Sequence, residues 1–600
     1  MRTGSVDKRG TAIVRYVLGI SGLGQSQPYM RRSFPGLDER VYRLAQGADS
    51  AAALVTEDGI VAAAAEERFV RRKGTGEFPQ AAIEYVLGAA GITPRDVSAV
   101  AHNFDFGRYQ TYFESEGAIE EYKNVYAPEV IHRDLFDAFP RELWSDDLKV
   151  IPILHHQAHA ASALHCSGFG SADVLVADGM GEFESTSLYT GGSQGLRLRG
   201  QVRGLHSMGL VYGLVTMHMG FWMNLDEYKV MGLAPYGDPQ RLRPAFDTLV
   251  VRQNDGRYTT PLTYLNETAQ ERATYQRSLE HLASVLGPPR EPGANLEQRH
   301  LDIAAALQAV TEETIVGFLA AHRDERSSEN LCLAGGVALN CVVNQAIRKS
   351  GMYRRQFAQP AAGDDGTALG AALTVMEEGA EAPRKRVRPR IGPPYLGPAF
   401  TSERIQATLE RTDLRWRRCE LDDLVAEAAG LLSDGKVVAL FQGRMEYGPR
   451  ALGNRSILAD PQRVEMRDRI NSMVKQREEF RPLAPAVLLE YAEQCFEIDD
   501  PDEYLWMIET VDVREAWRPR LGAVTHVDGT ARIQVVRRED NDLYWRLIDA
   551  FRAITGVPVL LNTSFNSRGE PIVCSPEDAV ATFSRIDIDA MVIGDHLVSR

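Results

Sequence analysis

The 600-residue chain has only six cysteines, Cys166, Cys332, Cys341, Cys419, Cys495 and Cys574, and no two of them stand as CxxC. That spacing argues against a disulfide framework and a cysteine zinc knuckle, so most of the thiols are expected to be buried and inert in a reducing compartment. Long hydrophobic runs are missing as well. The longest apolar stretches, such as residues 60–65, are broken by Glu66 and Glu67, and no membrane span is expected. Positive charge is in deficit: Lys and Arg total 67 against 82 Asp and Glu, a formal net charge of -15, which repels polyanions and counts against nucleic acid as a partner. The first ten residues lack an apolar core and fail as a signal peptide. A cytoplasmic protein is expected, with residues 1–14 as a disordered extension. No internal repeat is visible in the letters.

The length exceeds what one core can serve, so at least two domains are expected. Short Val/Ile/Leu-rich runs at 16–20, 51–55, 98–103, 150–154, 174–178, 330–334 and 437–441 read as buried strands. Segments 80–90, 158–166, 301–321 and 367–377 carry the helical period. The alternation predicts an α/β protein. Periodicity fails where Pro383, Pro389, Pro393, Pro394 and Pro398 sit among basic residues, which places a linker at 386–398 between domains at 15–385 and 399–600.

His155-His156-Gln157-Ala158-His159 follows a predicted strand. Residues four apart on a helix lie about 40° from eclipsed, so His155 and His159 can offer ring nitrogens to one ion while His156 points elsewhere. Thirteen histidines in 600 residues yield roughly 0.3 such pairs by chance, so the spacing alone is a weak signal. Asp178 strengthens it by standing at the carboxyl end of the next predicted strand, where α/β folds place ligands. Asp364, in Gly363-Asp364-Asp365-Gly366 before a small-residue helix, supplies a second carboxylate, with Asp365 the lesser candidate. Two histidines and two carboxylates suit a divalent ion, ferrous iron first, with manganese and zinc as alternatives.

Glycines mark a nucleotide cleft. Asp178 opens Gly179-Met180-Gly181-Glu182, and strand 330–334 runs into Gly335-Gly336 and on to Asn340. With Gly366, these positions let backbone N–H groups approach a phosphate. Further on, residues 444–481 hold Arg444, Arg450, Arg455, Arg463, Arg467, Arg469, Arg477 and Arg481 with Lys475 among them. Arg463, Arg467 and Arg469 read as a solvated helix face. Arg450 and Arg455 are flanked by Gly448, Pro449, Gly453 and Ser456; small neighbours admit a ligand to the guanidinium forks, and Lys475 adds a compact charge.

Taken together these motifs resemble the O-carbamoyltransferase family of nodulation and antibiotic-tailoring enzymes. The likeness is carried by Asp49-Ser50-Ala51-Ala52-Ala53, Glu66-Glu67-Arg68-Phe69 with Lys73, HHQAH at 155–159, VADGMGE from Val176, DEYKVMGLAPYG from Asp226, AGGVALN from Ala334 and GDDGTALGAA from Gly363. Later segments match as well: 448–456, 474–477 with 480–485, 525–532 and 562–566. The resemblance implies an actin-like N-terminal domain with two ribonuclease-H-type lobes, similar to the transferase that places threonylcarbamoyl on tRNA. It also implies a YrdC-like C-terminal domain. Carried across, Arg450, Lys475, Arg532 and Ser564, with Arg455, Arg481 and Asn562 in the matching segments, would hold carbamoyl phosphate and the phosphates of ATP with Mg2+. Lys475 would also act in catalysis there. The resulting carbamoyl adenylate would pass to the metal of the first domain, where a small-molecule hydroxyl attacks with Lys73 neutralising charge. The family's histidine before the Asp-Ser-Ala motif is Ala48 here: either Asp49 or Asp226 serves as the base, or the chain is an inactivated variant, or a metal-bound alkoxide needs no strong base. Segment 22–45, with Tyr29, Phe34 and Tyr42, reads as an acceptor-binding lid. Two rivals remain: a tRNA threonylcarbamoyl-type transferase, disfavoured by the net charge, and an actin-like ATPase or binding module with a structural His pair, which leaves the arginines unexplained. Oligomeric state is open.

Overall fold

A computed structural model describes residues 14–378, 392–474, 478 and 480–600. The expected extension up to residue 13, the first part of the expected linker and Lys475 lie outside the described residues.

Two five-stranded sheets build the N-terminal two-thirds. The first comprises β1 (Tyr16–Ser21), β2 (Ala51–Thr56), β3 (Gly59–Ala65), β4 (Val97–His102) and β5 (Lys149–Pro152) in the order β3-β2-β1-β4-β5. The second comprises β6 (Ala172–Ala177), β7 (Glu184–Gly192), β8 (Gly195–Arg203), β9 (Asn330–Ala334) and β10 (Arg355–Ala358) in the order β10-β9-β6-β7-β8. In each sheet the first three strands form an antiparallel meander and the last two run parallel to the first. The two topologies are identical, so the chain carries a duplication that its letters do not display.

Burial explains which strands sit where. β2 and β6 are almost wholly buried runs, as strands covered on both faces require. At the edges, β5 carries Lys149 and Pro152, and β8 carries Arg197, Arg199 and Arg203, charges and a proline that discourage further pairing. Helix α1 (His155–Cys166) leaves the end of β5, and helix α2 (Asp365–Glu378) follows β10. Their contact depends on missing side chains. A Cβ at Gly370 of α2 would lie 1.8 Å from the Ala158 carbonyl oxygen of α1, and one at Gly19 of β1 would lie 1.9 Å from that of Ala368.

The C-terminal part holds an eight-stranded sheet of β11 (Arg415–Arg418), β12 (Val438–Phe441), β13 (Arg455–Ala459), β14 (Ala484–Leu488), β15 (Gln534–Val536), β16 (Val559–Ser564), β17 (Ala590–Ile593) and β18 (His596–Ser599), ordered β11-β18-β17-β12-β13-β16-β14-β15. Leu396, within the expected linker, is bound by both halves: its carbonyl accepts from Ala63 N at 3.1 Å and from the Tyr85 hydroxyl at 2.8 Å, and from Arg444 Nη2 at 2.6 Å.

Two expectations need revision in detail. Helix α1 starts three residues before the expected 158, because the Glu182 carboxylate accepts the His155 N–H at 3.0 Å and caps a terminus that has no local cap. Among the described residues one helix, Gln298–His322, is long and apolar enough to cross a membrane, contrary to the reading of the letters; 67% of its apolar window is buried within the protein. All six cysteines are free and, as expected, most are buried, with Cys166 and Cys419 partly so.

The helix contact is testable. Gly370→Val should destabilise the fold by about 3 kcal/mol through overpacking. Gly88→Ala, in helix Gln80–Ala90 with open space around it, should gain about 0.5–1 kcal/mol. Denaturation midpoints of the two variants read both signs.

Candidate active site

Four side chains converge where the two N-terminal lobes meet. α1 presents His155 and His159 on one face, Asp178 stands one residue beyond β6, and Asp364 directly precedes α2. One ligand atom from each lies within 4.8 Å of all the others. His155 Nε2 is 3.1 Å from His159 Nε2, 3.3 Å from Asp178 Oδ2 and 3.4 Å from Asp364 Oδ1. His159 Nε2 is 3.9 and 3.6 Å from the same oxygens. Both imidazoles are fully buried.

The surroundings fix these groups from outside. Asn103 O lies 3.3 Å from His155 Nδ1, favouring the tautomer whose Nε2 lone pair faces the cluster. Phe104 stacks on the same ring at 4.3 Å with 4° between the planes. Asn103 Nδ2 donates to Thr367 Oγ1 at 2.8 Å, tying the β4 end to α2. Gly336 N donates to Asp178 Oδ1 at 2.8 Å. Burial works against every charge here, yet Asp364 and Asp178 hold His155 well above its ordinary pKa. Against the same penalty, the two histidines hold both carboxyls below theirs. The cluster lacks positive charge and draws protons to replace it. A divalent cation meets that demand, and two imidazole nitrogens with two carboxylate oxygens are a fitting donor set.

The glycines and Asn340 do structural work around this point. Gly335 has φ +89°, and a Cβ there would lie 2.3 Å from the Ala177 carbonyl oxygen. Gly366 similarly clears the Ala361 carbonyl, at 1.9 Å, whereas Gly179 faces open space. Asn340 caps helix Cys341–Lys349, accepting from Val342 N and Val343 N at 3.2 and 3.1 Å.

Asp49 sits beside the cluster at φ 61°, in the left-handed region where a non-glycine residue is strained. Burial first, then Glu67, Asp365 and Asp364, push its carboxyl well above the usual range. Asp226 is engaged elsewhere, with Lys229 Nζ at 2.8 Å and as acceptor of Trp222 N at 3.2 Å. The Lys73 ammonium lies 5.7 Å over the Tyr228 ring.

A second charged site adjoins the first. Arg450 is half-buried, and burial followed by repulsion from Arg532 pushes its pKa down to about 9. Its Nη2 donates to Leu339 O at 3.3 Å, while among the described residues the Nε groups of Arg450, Arg532, Arg481 and Arg455 are buried without a hydrogen-bond partner, and Arg481 pairs with Glu478. Arg481 Nη1 donates to the Tyr228 hydroxyl at 2.9 Å. Side-by-side buried cations with unsatisfied donors are costly unless an anion joins them. Arg455 differs: its guanidinium lies 3.8 Å over the Phe441 ring and donates to the carbonyls of Gln442 and Pro398 at 2.5 and 3.0 Å. Those bonds hold loop 442–455 and leave Arg455 turned away from ligand. Asn562 Nδ2 donates to Ala451 O at 3.1 Å, and Ser564 Oγ to Asn566 Oδ1 at 2.7 Å.

Sequence reasoning did not single out Asn103, Phe104 or the capping role of Glu182. The first two follow strand 98–103, at the carboxyl end where ligands gather in α/β sheets.

For the metal set, one manganese ion per chain is the expected stoichiometry in isothermal titration. Replacing His159 by Ala should abolish measurable binding, and Asn103→Leu should weaken it roughly 10- to 100-fold as loss of an outer partner does. Unchanged titration of both variants would remove the metal reading.

Known proteins bear on this geometry in two ways. Family models described as carbamoyltransferase N-terminus and carbamoyltransferase C-terminus match residues 44–373 and 429–600. Nodulation protein NolNO of Sinorhizobium fredii is 40% identical over 92% of this chain and 79% of its own length. NolO of Bradyrhizobium diazoefficiens is 42% identical over 74% and 78%. The 3'-hydroxymethylcephem-O-carbamoyltransferase of Amycolatopsis lactamdurans is 35% identical over 62% of this chain and 65% of its own. With both halves matched in order and the His and Asp cluster assembled within the first of them, this chain belongs to the carbamoyltransferase family.

Proposed function

We propose that the protein is a two-site O-carbamoyltransferase, in which a YrdC-like C-terminal domain makes carbamoyl adenylate and an actin-like N-terminal domain transfers the carbamoyl group to a hydroxyl of a specialised metabolite. At the arginine site, water cleaves carbamoyl phosphate to carbamate and phosphate. A carbamate oxygen then attacks the α-phosphorus of ATP, the bond to the β-phosphate oxygen breaks, and pyrophosphate departs with the electron pair. Arg450 and Arg532, with which no carboxylate pairs among the described residues, orient the phosphates and balance the negative charge that builds on the leaving group. Lys475 and Ser564 complete this set in our reading, and Mg2+ accompanies ATP.

Transfer then takes place beside His155, His159, Asp178 and Asp364. A ferrous ion held there would act as a Lewis acid toward the carbamoyl carbonyl. The acceptor oxygen bonds to the carbamoyl carbon, the carbon–oxygen bond to AMP breaks with its electron pair going to AMP, and the hydroxyl proton passes to Asp49. Ala48 cannot take it, and Asp226 is already paired with Lys229 at 2.8 Å. Lys73 balances charge near the leaving phosphate.

The observation that carries the reading is that both sites are built on the same loops. Arg450 donates to Leu339 O, at the end of the turn whose Gly336 N–H holds Asp178. Arg68 Nη2 donates to Gly448 O at 2.8 Å, and the Tyr447 hydroxyl donates to the Asp365 carbonyl. A Cβ at Gly448 would lie 2.8 Å from the Pro360 oxygen. A reactive acyl adenylate handed between such neighbours is shielded from water.

Arg450→Ala should abolish release of pyrophosphate from ATP and carbamoyl phosphate. His155→Ala should keep that release and lose transfer, with AMP-linked carbamate accumulating by mass spectrometry. Equal loss of both steps in both variants would overturn the division of labour.

A further inference from the structure

A cavity of about 320 Å³ opens beside Asp49, walled by the 23–48 segment and the 72–77 loop. It ends at Ala48. Gln46 fastens this wall to the metal cluster, its Nε2 donating to Met180 O and Gly181 O at 3.0 and 2.8 Å, in the turn that follows Asp178. A molecule in the cavity therefore lies at the edge of the transfer site, and the volume suits a small molecule or the reacting end of a larger one.

The lining is unequally charged. Arg31, Arg43, Arg72 and Lys73 face Glu39 and Glu77. Each acid is already used: Glu39 takes both Arg31 nitrogens at 2.8 and 2.6 Å, and Glu77 takes Arg72. Lys73 lies over the Tyr228 ring and shares its field with Asp49. Arg43 is what remains. Its Nη1 is pinned to the carbonyls of Lys73 and Gly74 at 3.0 and 3.3 Å, and its Cζ lies 5.7 Å from the centre of the Trp222 ring. No carboxylate pairs with it among the described residues. One edge of a half-buried guanidinium is thus fixed in place, in the field of Asp49, Glu39 and Glu67, and among the described residues no hydrogen bond engages the other, Nε and Nη2. A planar fork held this way is prepaid for a bidentate oxyanion, since little rotamer freedom is left to lose on binding.

We infer that the acceptor is an anionic alcohol, a hydroxy acid or phosphate ester whose carboxylate or phosphate docks on Arg43 while its hydroxyl reaches past Ala48 toward Asp49. The inference rests on the carbamoyl-transfer reading and adds the class of acceptor. It also gives Ala48 a use, because the missing imidazole leaves room for the alcohol carbon chain. A neutral polyol would leave the Arg43 edge unpaired, and an amine would be repelled by it.

The test uses the full chain with manganese or ferrous iron, ATP and carbamoyl phosphate, and matched acceptors: glycerate, glycerol 3-phosphate, glycerol and serinol, then longer hydroxy acids with their amide counterparts. Carbamoylated product is read by mass spectrometry, and acceptor binding by saturation-transfer NMR without ATP. Anionic members should exceed their neutral partners in kcat/KM by roughly 10- to 100-fold, the usual worth of one charge-assisted contact. Arg43→Gln should remove that preference by raising KM, and Arg43→Lys should restore part of it, with acceptor-free pyrophosphate release unchanged in both. Preference for neutral or amine acceptors, or a preference that survives Arg43→Gln, would overturn the proposal. If no acceptor is carbamoylated and no pyrophosphate appears, the transferase reading fails on its own. NMR binding of anions that depends on Arg43 would still support the oxyanion pocket, and its absence would overturn that too.

Discussion

The active site depends on how closely α1 approaches α2. His155 and His159 occupy one helix and Asp364 precedes the other, so their ligand atoms can meet only if the backbones nearly touch. Gly370, with no room for a methyl group against Ala158, allows that approach. The cost is a conformationally loose glycine inside a helix, roughly 1 kcal/mol. The sheets anchor the arrangement from behind. β1 packs on α2 through Gly19, and the turn after β9 holds Asp178 through a backbone N–H. Each of the two duplicated lobes thus contributes part of the ligand set, and neither half contains the site alone.

Electrostatics divides the molecule's work. At the His and Asp cluster, carboxylates outnumber the positive charge available, and His155 is driven to hold a proton. At Arg450 and Arg532, cations crowd together with donors unsatisfied. An acidic protein that accumulates opposite imbalances in neighbouring buried places is arranged for two kinds of ligand, one cationic and one anionic. Packing alone gives no reason for either imbalance, since a buried charge left unpaired costs several kcal/mol.

Much of this was legible in the letters. The seven expected strands and four expected helices all occur, with ends shifted by at most three residues, because long buried Val/Ile/Leu runs and helical periods are strong local signals. The metal set was legible too, since i, i+4 histidines and strand-end aspartates carry their geometry in their spacing. The duplication was not, because it resides in strand order and direction, which unrelated apolar residues satisfy equally well. Nor were the roles of Arg455 and Asn340. Small flanking residues made Arg455 look like a ligand contact, but they let its guanidinium sink against Phe441 and bind main-chain carbonyls. Glu182 caps α1 across 27 positions of chain, and no local pattern announces a cap that distant.

Tyr447 and Gly448 grip the Pro360–Asp365 turn from the C-terminal side, and Arg68 grips back. The seam between the halves is therefore a mortise joint. Chimeras that graft one member's C-terminal half onto another's N-terminal half would need to carry the 360–366 and 446–455 turns as a matched pair, because a change of shape in one displaces both Arg450 and Asp364. The 23–48 wall lies outside that joint, held instead to the turn after Asp178 through Gln46.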